Sequence, residues 1–505
     1  MDGNLLAEAA RLAQGPRPAD AAPLLGRLRE QAPHNADVLT VAAIAAQRTG
    51  RVEEAADLFR SARDADSSNP ARHQNLGVAL KGMGDHDAAL AAFEAALALR
   101  PGHAATMANM GSCLLAAGRD AEALRVLDPA RADGAGHPDF FNNRGIALAR
   151  AGRYDEAIAA YRGALVVRPA MVEAQINLAD TLAKSGDEDG AIGVLESVLA
   201  NKPGHVRAAN QLGLLREKRA EHEAACAVLR GGFDPAAPNH ALGVNLARNL
   251  ISAGKPDEAL GVCERLLATS PSVTTPLAIA AAALDRMGED EARDRLMGVD
   301  HFVRVHDIGG VGGFADMAQF NAALVTELQA HPSLTEEPEG LVTRQGRQSG
   351  ELAGAQTPAL AALAALAGER LGSEHARLAA LGGDHPFLRA LPERWSVTLW
   401  GTILRPGGEV GPHIHAPNWL SGVYYPDFAE NPGDANEGAL GIGILPEELG
   451  GPGTALRVFT PRAGRMVIFP SCLWHATLPF GGKADRISFA FDLVPEGVGR
   501  PHRLA

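Results

Sequence analysis

A chain of 505 residues exceeds one ordinary domain, and 46% hydrophobic with 21% charged residues fits a globular protein rather than a disordered or fibrous one. The formal net charge of −13 excludes the dominant basic face that nucleic acid or an anionic membrane would demand, so neither is expected as a partner. Cys113, Cys226, Cys263 and Cys472 lie far apart with no CxxC, which points to a reducing cytoplasm, and neither a signal-peptide pattern nor a run of about 18 apolar residues occurs.

The N-terminal part is periodic. Asn75-Leu76-Gly77, Asn109-Met110-Gly111, Asn143-Arg144-Gly145, Asn177-Leu178-Ala179, Gln211-Leu212-Gly213 and Asn245-Leu246-Ala247 recur every 34 residues. Ala55, Ala89, Ala123, Ala157, Ala191, Ala225 and Ala259 keep the same register. So do turn glycines at 50, 84, 118, 152, 186, 254 and 288, and prolines at 33, 101, 169, 203 and 271. A small residue after Asn-Leu lets the first helix of a unit approach the second. The glycine ends that first helix in a left-handed turn, and the proline closes the second. This pattern resembles the tetratricopeptide repeat, strongly over residues 34–290 and weakly over 1–33, where Pro16 replaces the expected glycine. The resemblance implies a superhelix whose concave face binds a protein or peptide substrate. Asn75, Asn109, Asn143, Asn177 and Asn245 would form a ladder that hydrogen-bonds a peptide backbone, although asparagine is also simply frequent at this position of the repeat.

Past residue 300 the register is lost. His301–His306 reads as a short strand, and Gly309 to Gly313 as a joint. Residues 315–330 read as a helix with Phe320, Leu324 and Leu328 on one stripe, and Thr357–Leu371 as a second helix. His301, His306 and His331 are expected to be ordinary loop or surface histidines. From Trp395 short alternating runs separated by Gly/Pro turns take over: Trp395–Leu404, Gly411–His415, Gly422–Tyr425, Gly438–Ile444, Ala455–Phe459, Arg465–Phe469, Trp474–Leu478 and Ile487–Leu493. The expected fold is therefore multidomain. An all-α repeat solenoid over 1–300 leads through a linker and helical buttress at 301–394 to a double-stranded β-helix, or jelly roll, at 395–505.

The chemistry concentrates at the end. In His413-Ile414-His415, residues two apart on a strand face the same way. His475 follows 60 residues later, and Arg486-Ile487-Ser488 lies 11 beyond that. The set resembles the iron(II)- and 2-oxoglutarate-dependent oxygenases, whose pattern is His-x-Asp/Glu, a distal His, then an Arg, often as Arg-x-Ser. HIHAPNWLSGVYY with VIFPSCLWHATLPF and RISFAF is similar to a bacterial family of such oxygenases marked by His-x-His followed by Leu-Ser-Gly-Val-Tyr-Tyr. Phe320-Asn321 through Thr343-Arg344-Gln345-Gly346 looks like that family's opening region, so the resemblance covers about 315–495.

Carried over, the resemblance implies Fe(II) held by His413, His475 and His415, the last in place of a carboxylate. Arg486 would bind the distal carboxylate of 2-oxoglutarate, with Ser488 and Tyr425 beside it. Water, or a carboxylate such as Asp427 or Glu437, is the other option for the third ligand. Gly407 six positions before His413 also matches the cupin motif, but Trp419 and Leu420 stand where a cupin needs Glu. The expected activity is hydroxylation of a protein or peptide side chain. The alternatives are a cupin-like metal-binding repeat scaffold without turnover, or a three-His dioxygenase that does not use 2-oxoglutarate. Trp419, Trp474 and Phe469 are expected in the core or pocket wall, and Cys472 as a buried apolar side chain.

Overall fold

The computed structural model describes residues 3–128, 136–338, 342–427, 436–451, 455–481 and 484–503. Its packing divides the chain into two compact units, Met1–Pro203 and Gly204–Ala505.

The first unit is a succession of antiparallel helix pairs, such as Pro70–Gly82 with His86–Leu99, Pro138–Arg150 with Tyr154–Val167, and Val172–Lys184 with Glu188–Asn201. The small residue of each Asn-Leu-Gly triplet is where the pair closes. A Cβ on Gly77 would come within 2.5 Å of the Phe93 ring, on Gly111 within 2.6 Å of Leu127, and on Gly145 within 2.6 Å of Tyr161. Each pair thus sets a large side chain 16 residues on against a bare backbone. The periodic alanines from Ala55 to Ala191 are fully buried at these crossings. Gly50, Gly84, Gly118, Gly152 and Gly186 all have positive φ. The residue after each donates its N–H to the carbonyl five back, as in Arg51 to Ala46 at 2.9 Å.

The second unit begins with three more pairs: Val206–Lys218 with His222–Gly232, His240–Ser252 with Pro256–Thr269, and Thr275–Met287 with Asp290–Met297. At the turn of the first pair the repeat places Ala220, which holds φ +56 in the conformation glycine takes elsewhere. The helix Thr275–Met287 is unlike the others, because every residue from Pro276 to Leu284 is buried. One side meets the preceding helix and the other meets the β-structure. Trp474 Nε1 donates to the Ala278 carbonyl at 3.0 Å, and Ala281 and Met297 pack with Leu440, Ile442, Val467 and Phe469. Its unbroken apolar run, PLAIAAAAL, is the sequence signature of a helix covered all round. The packing boundary therefore falls well before residue 300, where the sequence pattern changes.

The strands are β1 (Arg304–Asp307), β2 (Thr335–Glu336), β3 (Thr343–Gln348), β4 (Trp395–Val410), β5 (Leu420–Asp427), β6 (Leu440–Ile442), β7 (Arg457–Phe459), β8 (Arg465–Pro470), β9 (His475–Thr477) and β10 (Arg486–Pro495). They form a seven-stranded sheet in the order β1-β8-β5-β10-β4-β3-β2 and a three-stranded sheet in the order β7-β6-β9, a jelly-roll-like arrangement of antiparallel strands. The run Gly411–His415 is not a regular strand. Only His413 pairs, in a bridge to His475, before the chain turns through Ala416–Pro417.

Two helices back the larger sheet. Met317–Gln329 buries Phe320, Leu324 and Leu328, and its Asn321 accepts from the Tyr424 hydroxyl at 2.6 Å. The other runs from Pro358 to Leu381, ten residues past the expected stop. Gly368 and Gly372 let the helix lie against Val397 and Trp395. Trp419 stacks on Phe387, with centroids 4.9 Å apart, and donates to its carbonyl.

Two substitutions test this packing. Gly145→Val forces a branched side chain onto Tyr161 and is expected to destabilise by about 1–3 kcal/mol in urea unfolding. Ala220→Gly relieves the left-handed Cβ clash and is expected to stabilise by roughly 0.5–1 kcal/mol.

Candidate metal centre

The short bridge between His413 and His475 builds the site. Each backbone N–H donates to the other's carbonyl at 3.0 Å, so the two imidazoles lie side by side with ring centroids 4.2 Å apart. The His415 N–H donates to the Ser471 carbonyl at 2.9 Å, which turns its ring to the same point, 4.9 Å from each of the others. The candidate ligand nitrogens of the three histidines all lie within 4.8 Å of one another.

The outer nitrogens fix the tautomers. His413 Nδ1 is 2.8 Å from the Gly411 carbonyl and His475 Nδ1 is 2.9 Å from the Leu473 carbonyl. A carbonyl only accepts, so both rings carry their proton on Nδ1 and present a bare Nε2. His415 Nδ1 faces the Asp492 carboxylate at 2.8 Å, which puts a proton on that nitrogen too. The Nε2 atoms of His413 and His415 stand 3.0 Å apart, a spacing that either a proton on His415 Nε2 or a cation shared by both nitrogens satisfies. Two nitrogens ~2.1 Å from one ion and at a right angle would be ~3.0 Å apart, so the residues present fit a divalent transition metal. Burial first, and the neighbouring imidazoles second, hold His413 down to about 3 and His475 well below its ordinary value.

At the other end of the same cavity, of about 370 Å³, lies Arg486. Its Nε donates to the Gly438 carbonyl at 2.8 Å, Nη1 to Ser488 Oγ at 3.1 Å and Nη2 to the Tyr425 hydroxyl at 3.4 Å. The guanidinium also sits over the Tyr425 ring, 5.2 Å from its centroid. Arg486 is 3% exposed, and none of these contacts is a carboxylate. Burial without a counter-charge lowers its pKa. Tyr425, wholly buried, is raised by the same desolvation, which the nearby Arg486 opposes. Strand alternation along β5 puts Tyr425 in the cavity with Val423, while its neighbour Tyr424 faces the helix behind.

All six residues expected around the metal and the 2-oxoglutarate therefore line one cavity. Asp427 is exposed and Glu437 half-buried, and neither belongs to the histidine cluster. The repeat asparagines lie elsewhere and mostly tie adjacent repeats together. Asn109 accepts from Lys81 at 3.0 Å, Asn143 donates to the Ala108 carbonyl at 2.9 Å, Asn177 to Asn142 at 3.2 Å and Asn245 to Asn210 at 2.9 Å, while Asn75 is half-buried. His306 lies 3.5 Å from Glu374, and His331 Nδ1 is 2.8 Å from the Ser333 hydroxyl, both away from the cavity. Cys472 is buried, and its thiol is pushed up to about 12.

Sequence reading missed Asp492, Asn418, Gln348, Thr402, Arg500 and His502, all of which line the cavity. Asp492 had a signal, since Arg486, Ser488, Ala490 and Asp492 alternate along one face of β10. Thr402 and Gln348 sit directly across neighbouring strands from Ser488, which only the register reveals.

Residues 398–492 match the family described as "Putative 2OG-Fe(II) oxygenase". Two tetratricopeptide-repeat families match residues 11–78 and 80–142, and residues 121–172, 142–206 and 176–238. Among curated proteins none matches the chain. Similar solved structures include YrrB, a TPR protein with an unusual peptide-binding site, at 21% identity and TM-score 0.31 over 36% of this chain and 95% of that one. The APC/C hetero-tetramer Cut9-Hcn1 follows at 17% and 0.41, over 48% of each chain. A tetratricopeptide repeat protein from Parabacteroides merdae is similar at 17% and 0.38, over 46% of this chain and 93% of that one.

The depressed imidazoles predict a pH response of the metal-free protein. Unfolded histidine titrates near ~6.5, so as pH falls the unfolded chain takes up protons that the folded site refuses. Stability present above about pH 6.5 should be lost as pH drops, read as a falling urea midpoint from about pH 7 to 5.5 that is smaller in His475→Gln.

Proposed function

We propose, for a chain of tetratricopeptide repeats that ends in a segment of the 2OG-Fe(II) oxygenase family, that it is an Fe(II)- and 2-oxoglutarate-dependent dioxygenase acting on a protein or peptide side chain. The observation that carries this reading is Arg486, a buried guanidinium with no carboxylate partner among the described residues, in the same cavity as three converging imidazoles. A cofactor bearing a carboxylate at one end and a metal-chelating group at the other matches both poles.

In this reading His413, His415 and His475 hold the iron, which with 2-oxoglutarate and oxygen supplies oxidative decarboxylation coupled to C–H hydroxylation. Arg486 grips the distal carboxylate with its two terminal nitrogens, while its Nε stays on the Gly438 carbonyl and keeps the fork aimed inward. Ser488 and Tyr425, already on the guanidinium, supply hydroxyl donors to the same carboxylate. Phe469, Leu440, Val423 and Trp400 form an apolar wall that excludes water from the reacting end. The core at 395–505 carries this chemistry, 301–394 buttresses it, and the repeats of 1–300 recruit the substrate. Asn109, Asn143 and Asn245, already bonded between repeats, would offer their remaining lone pairs and N–H groups to a bound backbone.

Wild-type protein with iron, oxygen and 2-oxoglutarate should form succinate. Arg486→Ala should weaken 2-oxoglutarate binding by at least tenfold, since hydrogen bonds to a charged group contribute about 1.5–3 kcal/mol each. Absence of 2-oxoglutarate binding by the wild type would overturn the reading, and turnover without it would favour the three-His alternative. A chain starting at Gly204 should lose kcat/KM on a protein substrate while keeping basal succinate formation. Unchanged kcat/KM would remove the recruiting role from the first unit.

A further inference from the structure

The general pattern of iron(II)- and 2-oxoglutarate-dependent oxygenases puts a carboxylate on the metal at the position where this chain has His415. Three neutral imidazoles bring no charge to a dication. The missing negative charge is nevertheless present, one hydrogen bond further out. Asp492 is 2% exposed, and its Oδ1 lies 2.8 Å from His415 Nδ1. Its Oδ2 accepts from Asn418 Nδ2 at 2.8 Å. Asn418 is itself held from both sides by the backbone of Arg500, whose N–H donates at 2.8 Å and whose carbonyl accepts at 3.0 Å. Ser421 Oγ stands 3.0 Å from the same His415 nitrogen and 2.8 Å from Ser471 Oγ.

The decisive feature is charge. Among the described residues the only ion-pair partner of Asp492 is His415, a ring that is neutral once its Nε2 is given to a metal. A buried carboxylate surrounded by neutral donors is costly unless a cation lies nearby. The direction in which one would be met runs through the imidazole, whose far nitrogen joins the triad.

We infer that Asp492 is a positioning residue that converts His415 into the electrical equivalent of the carboxylate ligand found in the wider group of such oxygenases. The carboxylate polarises the Nδ1–H bond, raises the donor strength of Nε2 and delivers its charge to a bound dication through the ring. Asn418 fixes which lone pair Asp492 offers. This rests on reading the triad as a metal centre but not on the use of 2-oxoglutarate.

The test is a double-mutant cycle read by metal affinity rather than turnover. Iron(II) alone is titrated anaerobically into the full-length protein by calorimetry, with circular dichroism confirming the fold of each variant. Asp492→Asn keeps the shape and removes the charge, and should weaken iron binding 10- to 100-fold. In a His415→Asp background, which returns a carboxylate to the ligand position, the same Asn substitution should leave affinity unchanged or tighten it, because Asp492 no longer acts through an imidazole. An equal loss in both backgrounds would make Asp492 a structural group and overturn the inference, as would an unchanged affinity of Asp492→Asn. If Asp492→Asn does not fold, Asn418→Ala leaves the charge in place and should cost less than threefold, and a tenfold loss there would overturn the charge argument. No iron binding by the wild type would instead sink the metal reading itself.

Discussion

The cavity is organised by two buried polar poles, a guanidinium and a carboxylate, that do not pair with one another among the described residues. Arg486 is a cation with only neutral acceptors and a ring face around it, and Asp492 is an anion held by His415 and Asn418. Both sit on the inward face of β10, six residues apart, so one strand carries the two ends of the site. Burying either group alone is unfavourable, and the surrounding fold must hold them in place. It does so with a long antiparallel pairing to β4 on one side and β5 on the other, and with helices packed behind both. Stability is thus invested in a cavity that gains most when both poles are filled.

The smaller sheet supplies the remaining constraint. His475 starts β9, and its bridge to His413 pins an otherwise irregular segment. The imidazoles converge because backbone hydrogen bonds set their Cα positions and backbone carbonyls set their tautomers. Hydrogen bonds to main-chain groups are hard to alter by substitution, which suits the part of a site where a displacement of an ångström matters most.

Much of this was legible in the sequence, for identifiable reasons. The repeat announces itself because helix pairs close only where Gly77, Gly111 and Gly145 meet Phe93, Leu127 and Tyr161, so each unit must repeat the same small residue. His413, His415, His475, Arg486 and Ser488 could be read because strand alternation and linear spacing survive in sequence. What could not be read depends on non-local pairing. Ser488, Thr402 and Gln348 are adjacent only through strand register. Asn418 gains its role through the chain's return at Arg500. The helix Pro358–Leu381 looked shorter because Gly372 is a helix breaker in isolation and a spacer once Trp395 lies beneath it. The asparagine column showed its period but not its partners, and four of its members bond across to a neighbouring repeat.

The wholly apolar helix Thr275–Met287 has a bearing on modularity. In the 34-residue register Ile279 stands where earlier repeats carry asparagine, so this helix has given up the column's polar character and become a joist of the β-structure. A graft of the β-structure onto another scaffold must carry this helix with it, or leave Trp474 without its acceptor and the face around Ile442 and Phe469 bare.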